Sequence, residues 1–181
     1  MREEEKLAHD VYVTLFAQWE LPNFQNISQS EQTHTEAVKA LLDRYGLTDP
    51  ASNKIGEFSN PDLEALYDDL VVRGRQSLAE ALKVGAAIEE IDILDLQSRL
   101  AQSDNADIQQ VFKDLLQDSY NHLRAFVKTL SNQTGEIYQP QYLTLDAYQA
   151  ILSGTSGNSG GAGNGQAGNG GGGGGYRGGR P

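Results

Sequence analysis

The chain has 181 residues, 38% of them hydrophobic, a formal net charge of −11 and no cysteine. That length allows one domain with a real core, and the acidity argues against a phosphate-binding surface. The absence of cysteine excludes disulfides, thiolate catalysis, zinc–thiolate sites and iron–sulfur clusters.

No run is long and apolar enough to span a membrane, and none reads as a signal peptide. As it stands the sequence predicts a cytoplasmic protein, or an exported one if a leader precedes Met1. From Gly154 onward glycine dominates, and Tyr176 is the one apolar residue larger than alanine. Such a stretch cannot bury enough surface to offset its ordering entropy. The composition therefore predicts a folded domain over 1–153 and a disordered, Gly-rich tail over 154–181. Arg177 and Arg180 give the tail +2; taking that from −11 leaves −13 on the remainder. So acidic a body attracts cations, and no nucleic acid is expected at its core. The closing "GYRGGRP" carries too few arginines and aromatics for an RNA-binding tail.

The elements follow in order. Residues 2–20 predict a first long helix, with Glu5, Ala8, Tyr12, Leu15 and Trp19 on one face. The stretch "LPNFQN" reads as a break. Residues 27–46 predict a second helix with a stripe of Ile27, Glu31, His34, Val38, Leu41 and Tyr45. The short link makes the two antiparallel neighbours. A long connection follows, with a short helix near 62–73 opened by Asn60 as cap and Pro61 at the first helical position. It is long enough for the next helix to run parallel to the second. The third long helix spans about 77–101, with Leu78, Leu82, Gly85, Glu89, Asp92 and Leu96 on one face. After "SDNA" the fourth spans about 107–131, with Ile108, Phe112, Leu115, Ser119, His122 and Phe126 aligned. The coda "YQPQYLTLDAYQAIL" predicts an extended segment and a short helix capped by Thr144. The expectation is an all-α chain: a ferritin-like four-helix bundle with a long crossover between its second and third long helices.

Each inner stripe carries ionisable residues: Glu5, then Glu31 and His34, then Glu89 and Asp92, then His122. A lone buried histidine is usually hydrogen-bonded core. Four helices turning such groups inward is another matter, because each buried charge needs a partner. Bound dications would supply one, and carboxylate oxygen with imidazole nitrogen suits iron, manganese or zinc. Residues three apart leave one side of a helix, so Glu31 and His34 can grip one metal together. Di-metal bundles of the ferritin type use one Glu from each of two helices and a Glu-x-x-His from each of the others. Here the last helix has His122 but Ser119 where the second Glu would stand; Asp92 is the acid that can compensate. An echo between "EEEKLAHD" and "IEEIDILD" would pair Glu4 with Glu89 and Glu5 with Glu90. The face argument prefers Glu5 and Glu89, so Glu4 and Glu90 stay open as alternatives. Tyr12, Tyr45 and Asn121 are candidates to hydrogen-bond the ligands, with core packing the plainer reading of the tyrosines. Arg124 pairs either with a buried acid or with solvent, and His9 reads as surface or supporting.

The segments "REEEKLAHDVY", "QSEQTHTEAV", "VGAAIEEIDILDL" and "NHLRAF" together resemble the domain of unknown function 2202, a ferritin-like family, across about residues 1–150. More distantly the chain is similar to the rubrerythrin branch of that superfamily, where the first metal Glu is followed seven residues on by Tyr, as Glu5 is by Tyr12. The resemblance implies a centre of two iron ions handling oxygen, peroxide or iron. It also implies an external electron donor, since no cysteine module is present, and a homodimer paired through helix faces. Against this stand two other readings: a metal-binding buffer without turnover, and a structural bundle without metal.

Overall fold

The structure is a computed structural model and describes residues 1–154. Among these residues there are six α-helices and no strand: α1 (Arg2–Trp19), α2 (Pro22–Arg44), α3 (Pro61–Gly74), α4 (Leu78–Gln102), α5 (Ala106–Thr134) and α6 (Leu145–Leu152). No helix is long and apolar enough to cross a membrane. The tail expected after Gly154 lies outside the described residues.

The elements largely follow local chemistry. Asn60, Ser77 and Thr144 each accept a backbone N–H at the start of α3, α4 and α6. Gly135 ends α5 in the left-handed region, where glycine carries no Cβ penalty. One expectation needs correction: the second long helix begins at Pro22, not 27. Proline at a first helical position gives up an N–H that would be unpaired anyway. "LPNFQN" therefore starts a helix, and only Glu20 and Leu21 link α1 to α2. Glu20 makes this tight corner with φ at 49° and donates its N–H to Phe16.

The long helices pack chiefly as α1 on α2 and α4 on α5; α3 leans on both α1 and α4. One apolar cluster holds Tyr12, Phe24, Leu82 and Phe126, and a second holds Val38, Leu96 and Leu115, with Met1 against it. The clusters fix the directions. Chain order runs from the second cluster to the first along α1 and α5, and from the first to the second along α2 and α4. The crossover is pinned to α1 by Arg2 on Asp49, by Lys6 on the Lys54 carbonyl, and by Glu3 on the Ser59 and Asn60 amides. After α5 the chain returns across α4, where the Glu90 carboxylate accepts the N–H groups of Gln141, Tyr142 and Leu143.

Candidate metal centre

Between the two apolar clusters lies a polar slab, one level per helix. Glu5 comes from α1, Glu31 and His34 from α2, Glu89 from α4 and His122 from α5; all five are buried. Helical spacing explains the level: each lies seven residues or fewer from an apolar residue above and one below on its stripe. They form two triads, Glu5–Glu31–His34 and Glu31–Glu89–His122, and within each the ligand atoms lie within 4.8 Å of one another. Glu31 belongs to both. Its Oε2 lies 2.9 Å from His34 Nδ1, and its Oε1 lies 2.8 Å from His122 Nδ1. The two rings stack at 5.7 Å between centroids.

The electrostatics follow from burial among like charges. Burial disfavours charged imidazole, yet Glu31 and Glu5 outweigh it and push His34 up to about 11. Glu89 and Glu31 likewise push His122 up to about 10 against its burial. Burial works against the Glu31 charge as well, but His122 and His34 hold its carboxyl down to about 2. Glu5 goes the other way. Burial lifts it to about 7, against the pull of His34 and with the Glu31 charge adding to the lift. Burial also raises Glu89 and Asp92, the latter with help from Glu5, Glu31 and Glu89. Protons alone can therefore offset the acids only by charging both rings and neutralising carboxyls.

The donor set fits a dication better. Both Glu5 oxygens and His122 Nδ1 are buried with no aligned hydrogen-bond partner. His34 Nδ1 is 3.3 Å from Glu5 Oε2, but its hydrogen bond goes to Glu31. Buried polar atoms are seldom left this way in a structure, and here these three belong to the two triads. Four carboxylates, Glu5, Glu31, Glu89 and Asp92, would balance two dications with both rings neutral.

Neighbours orient the cluster. Tyr12, fully buried, donates to Glu89 Oε1 at 2.6 Å. Ser119 Oγ donates to Asp92 Oδ2 at 2.7 Å, so the serine in the expected glutamate position holds an acid from α4 instead. Asp118 was not foreseen in the sequence. Its Oδ2 stands 3.3 Å from His34 Nε2, which leaves Nδ1 turned to the acids.

Other candidates lie elsewhere. Tyr45 is 45% exposed and donates to Asp107, because α2 ends before it. Asn121 is exposed and accepts from Arg124, whose Nε donates to the Ile151 carbonyl. Neither Tyr45 nor Asn121 touches the cluster, which corrects the supporting role expected of them. His9 pairs with Asp10. The alternatives Glu4 and Glu90 point away: Arg99 holds Glu4, and backbone amides hold Glu90.

Fold and site define an all-helical protein whose core encloses a carboxylate–imidazole cluster that could hold metal ions. The chain belongs to the family of the uncharacterized protein domain DUF2202, which matches residues 1–155. It is 51% identical over 157 residues to the uncharacterized protein MJ0754 of Methanocaldococcus jannaschii, across 86% of this chain and 84% of that one. The crystal structure of the hypothetical protein MJ0754 from Methanococcus jannaschii matches with a TM-score of 0.82 at 52% identity, covering 84% of this chain and 87% of the other.

Proposed function

We propose that this chain is a ferritin-like di-iron carboxylate protein, related to the rubrerythrins, that oxidises iron while reducing oxygen or peroxide. The observation that carries the reading is Glu31, whose two oxygens serve two triads at once. A carboxylate between two Glu/His sets is what a pair of cations requires. The up-down-down-up helix directions and the long crossover suit the same superfamily. Two ferrous ions would supply two electrons, which with two protons reduce dioxygen to hydrogen peroxide, or hydrogen peroxide to two waters.

The chain's own residues have distinct tasks in this scheme. Glu5 and His34 hold one position, and Glu89 and His122 hold the other. Tyr12 ties up Glu89 Oε1 and leaves Oε2 toward His122. Asp118 keeps His34 in the tautomer with Nδ1 free. Asp92, held by Ser119, adds the fourth carboxylate to the charge that would offset two dications. Electrons come from an external donor, and a homodimer is the proposed assembly. Manganese or zinc suits the same donors. A buffering role without turnover is the second reading, favoured by Ser119, which leaves the last helix with one ligand where its counterpart has two.

The test is metal content in protein grown with added iron and purified without chelator, followed by oxygen and peroxide consumption on anaerobic reloading. About two irons per chain, with turnover, is expected of a site of this type. Two irons without consumption of either oxidant would leave the buffer. No iron in a folded protein would refute the di-iron reading, and no manganese or zinc either would refute the buffer as well.

A further inference from the structure

A second space lies directly behind the cluster. Between α1, α3 and α4 there is a cavity of about 150 Å³, partly open to solvent, walled by Leu7, Ala8, Leu63, Leu66, Ile88 and Ile91, with Glu4, Asp92 and Asp95 also lining it. Its walls alternate with the site: Ala8 stands one turn beyond Glu5, and Ile88 and Ile91 flank Glu89 and Asp92. Asp92 is common to both spaces, lining the cavity while its Oδ2 accepts from Ser119 at the cluster. We propose that this cavity is a dioxygen-binding chamber feeding the carboxylate–histidine cluster through the Asp92 wall. The inference rests on the dinuclear reading above and selects dioxygen over peroxide as the oxidant.

Charge and polarity support that choice. The two acids at the rim are not free: Arg99 bonds Glu4 at 3.1 Å and also pairs with Asp95. A cation passing this way would find carboxylates only at the rim and at Asp92, with an aliphatic interior between them that cannot replace its hydration shell. Hydrogen peroxide would lose hydrogen bonds to water for the same reason. Dioxygen loses almost nothing. Sealed aliphatic cavities of about 150 Å³ admit xenon or benzene, both bulkier than dioxygen; this space matches them in volume and in its aliphatic walls but is partly open to solvent. The crossover supplies the outer wall: Leu63 and Leu66 of α3 close a face of α1 and α4 that would otherwise be open.

Two measurements decide it. Crystals of the full chain under xenon pressure are expected to show xenon in this cavity. Leu66→Trp, on a helix that bears no candidate ligand, should abolish that xenon and keep the iron content. It should also slow oxidation of the ferrous-loaded protein by dioxygen about tenfold, and leave oxidation by hydrogen peroxide unchanged. Should Leu66→Trp fail to fold, Leu63→Phe is the substitute. An unfilled wild-type cavity, iron or manganese density beside Asp92 and Asp95 after soaking, or equal slowing with both oxidants would each overturn the chamber. The xenon arm needs no metal. Xenon with no bound iron would retire the dinuclear reading and with it the cavity's role in feeding the cluster, whereas iron with no xenon would retire the chamber alone.

Discussion

Gly85 of α4 sets how closely α4 and α5 approach above the site, and Gly85→Ala tests that approach. A Cβ there would meet Phe126 Cε1 at 2.4 Å and its Cδ1 and Cζ at 2.6 Å. Carbon contacts settle near about 3.5–4.0 Å, so the ring would have to retreat by roughly 1 Å. It has no room, with Tyr12 at 5.1 Å and Phe24 at 5.6 Å between centroids and all three rings fully buried. Overpacking costs about 1–3 kcal/mol, and a ring boxed in on two sides belongs at the upper end. Replacing a mid-helix glycine returns about 1 kcal/mol. The net loss is about 2 kcal/mol, or a fall in Tm of about 4–8 °C for a chain of this size. Calorimetry with a two-state check reads it directly. Adding Phe126→Leu should relieve the clash, so the pair should lose less than the two single changes summed. A Gly85→Ala protein that melts higher than wild type, as helix propensity alone demands, would refute the close approach.

Other expectations follow from single contacts. Glu5→Gln should remove one metal per chain and Glu31→Gln both, measured by elemental analysis; equal losses would deny Glu31 its shared role. Asp118→Ala should weaken metal binding about tenfold in a chelator competition, with Asp118→Glu recovering part; unchanged affinity would mean that Asp118 does not orient His34. Glu90→Gln leaves one neutral oxygen for the three backbone donors and turns its NH2 toward the Gln141 N–H; it should cost about 1–3 kcal/mol in urea unfolding, and a near-neutral result would show that residues 141–143 are not held this way. Burial opposes the charge of Asp10, but hydrogen bonds from His9, Lys6 and the Gly56 N–H outweigh it and hold its pKa below the ordinary value. A depressed acid stabilises the fold above its unfolded pKa of about 3.9 and loses that contribution as pH falls through the folded value. Asp10→Asn should therefore be destabilising at neutral pH, with the gap to wild type closing in acid; a gap independent of pH would refute the assignment.

Much of the site could be read in advance because helical periodicity is a strong local signal. Glu31, His34, Glu89 and His122 sit on stripes that continue through apolar residues at either side, and the structure sets all four at one level. Periodicity fails where a helix stops. Tyr45 continues the α2 stripe in projection, but it is the residue after the last helical one and turns outward. It fails also for neighbours, since Asn121 is about 100° around the helix from His122. Helical facing already prefers Glu5 over Glu4 and Glu89 over Glu90, but only distant partners explain where the other two acids go. Arg99 takes Glu4, and the amides of 141–143 take Glu90. Asp118 was hidden for the same reason. One residue off the α5 stripe it looks like a solvated acid, and its partner His34 is on another helix. The early start of α2 was legible in principle, since Pro22 is a common opening residue that reads equally as a break.

The two triads differ in what they ask of the chain as it folds. Glu5, Glu31 and His34 come from α1 and α2, a helical pair closed by the two-residue corner at Glu20 and Leu21. Glu89 and His122 come from the other pair, α4 and α5, which Ser103–Asn105 joins. The first triad can thus assemble as soon as one hairpin closes, whereas the second exists only once the hairpins dock on each other. On the dinuclear reading an ion in the first triad braces a single hairpin, and an ion in the second is a clasp whose binding free energy adds to the docking of the two halves. Glu31, owned by one half and used by both, makes the last cation bound a thermodynamic report that the chain has finished folding.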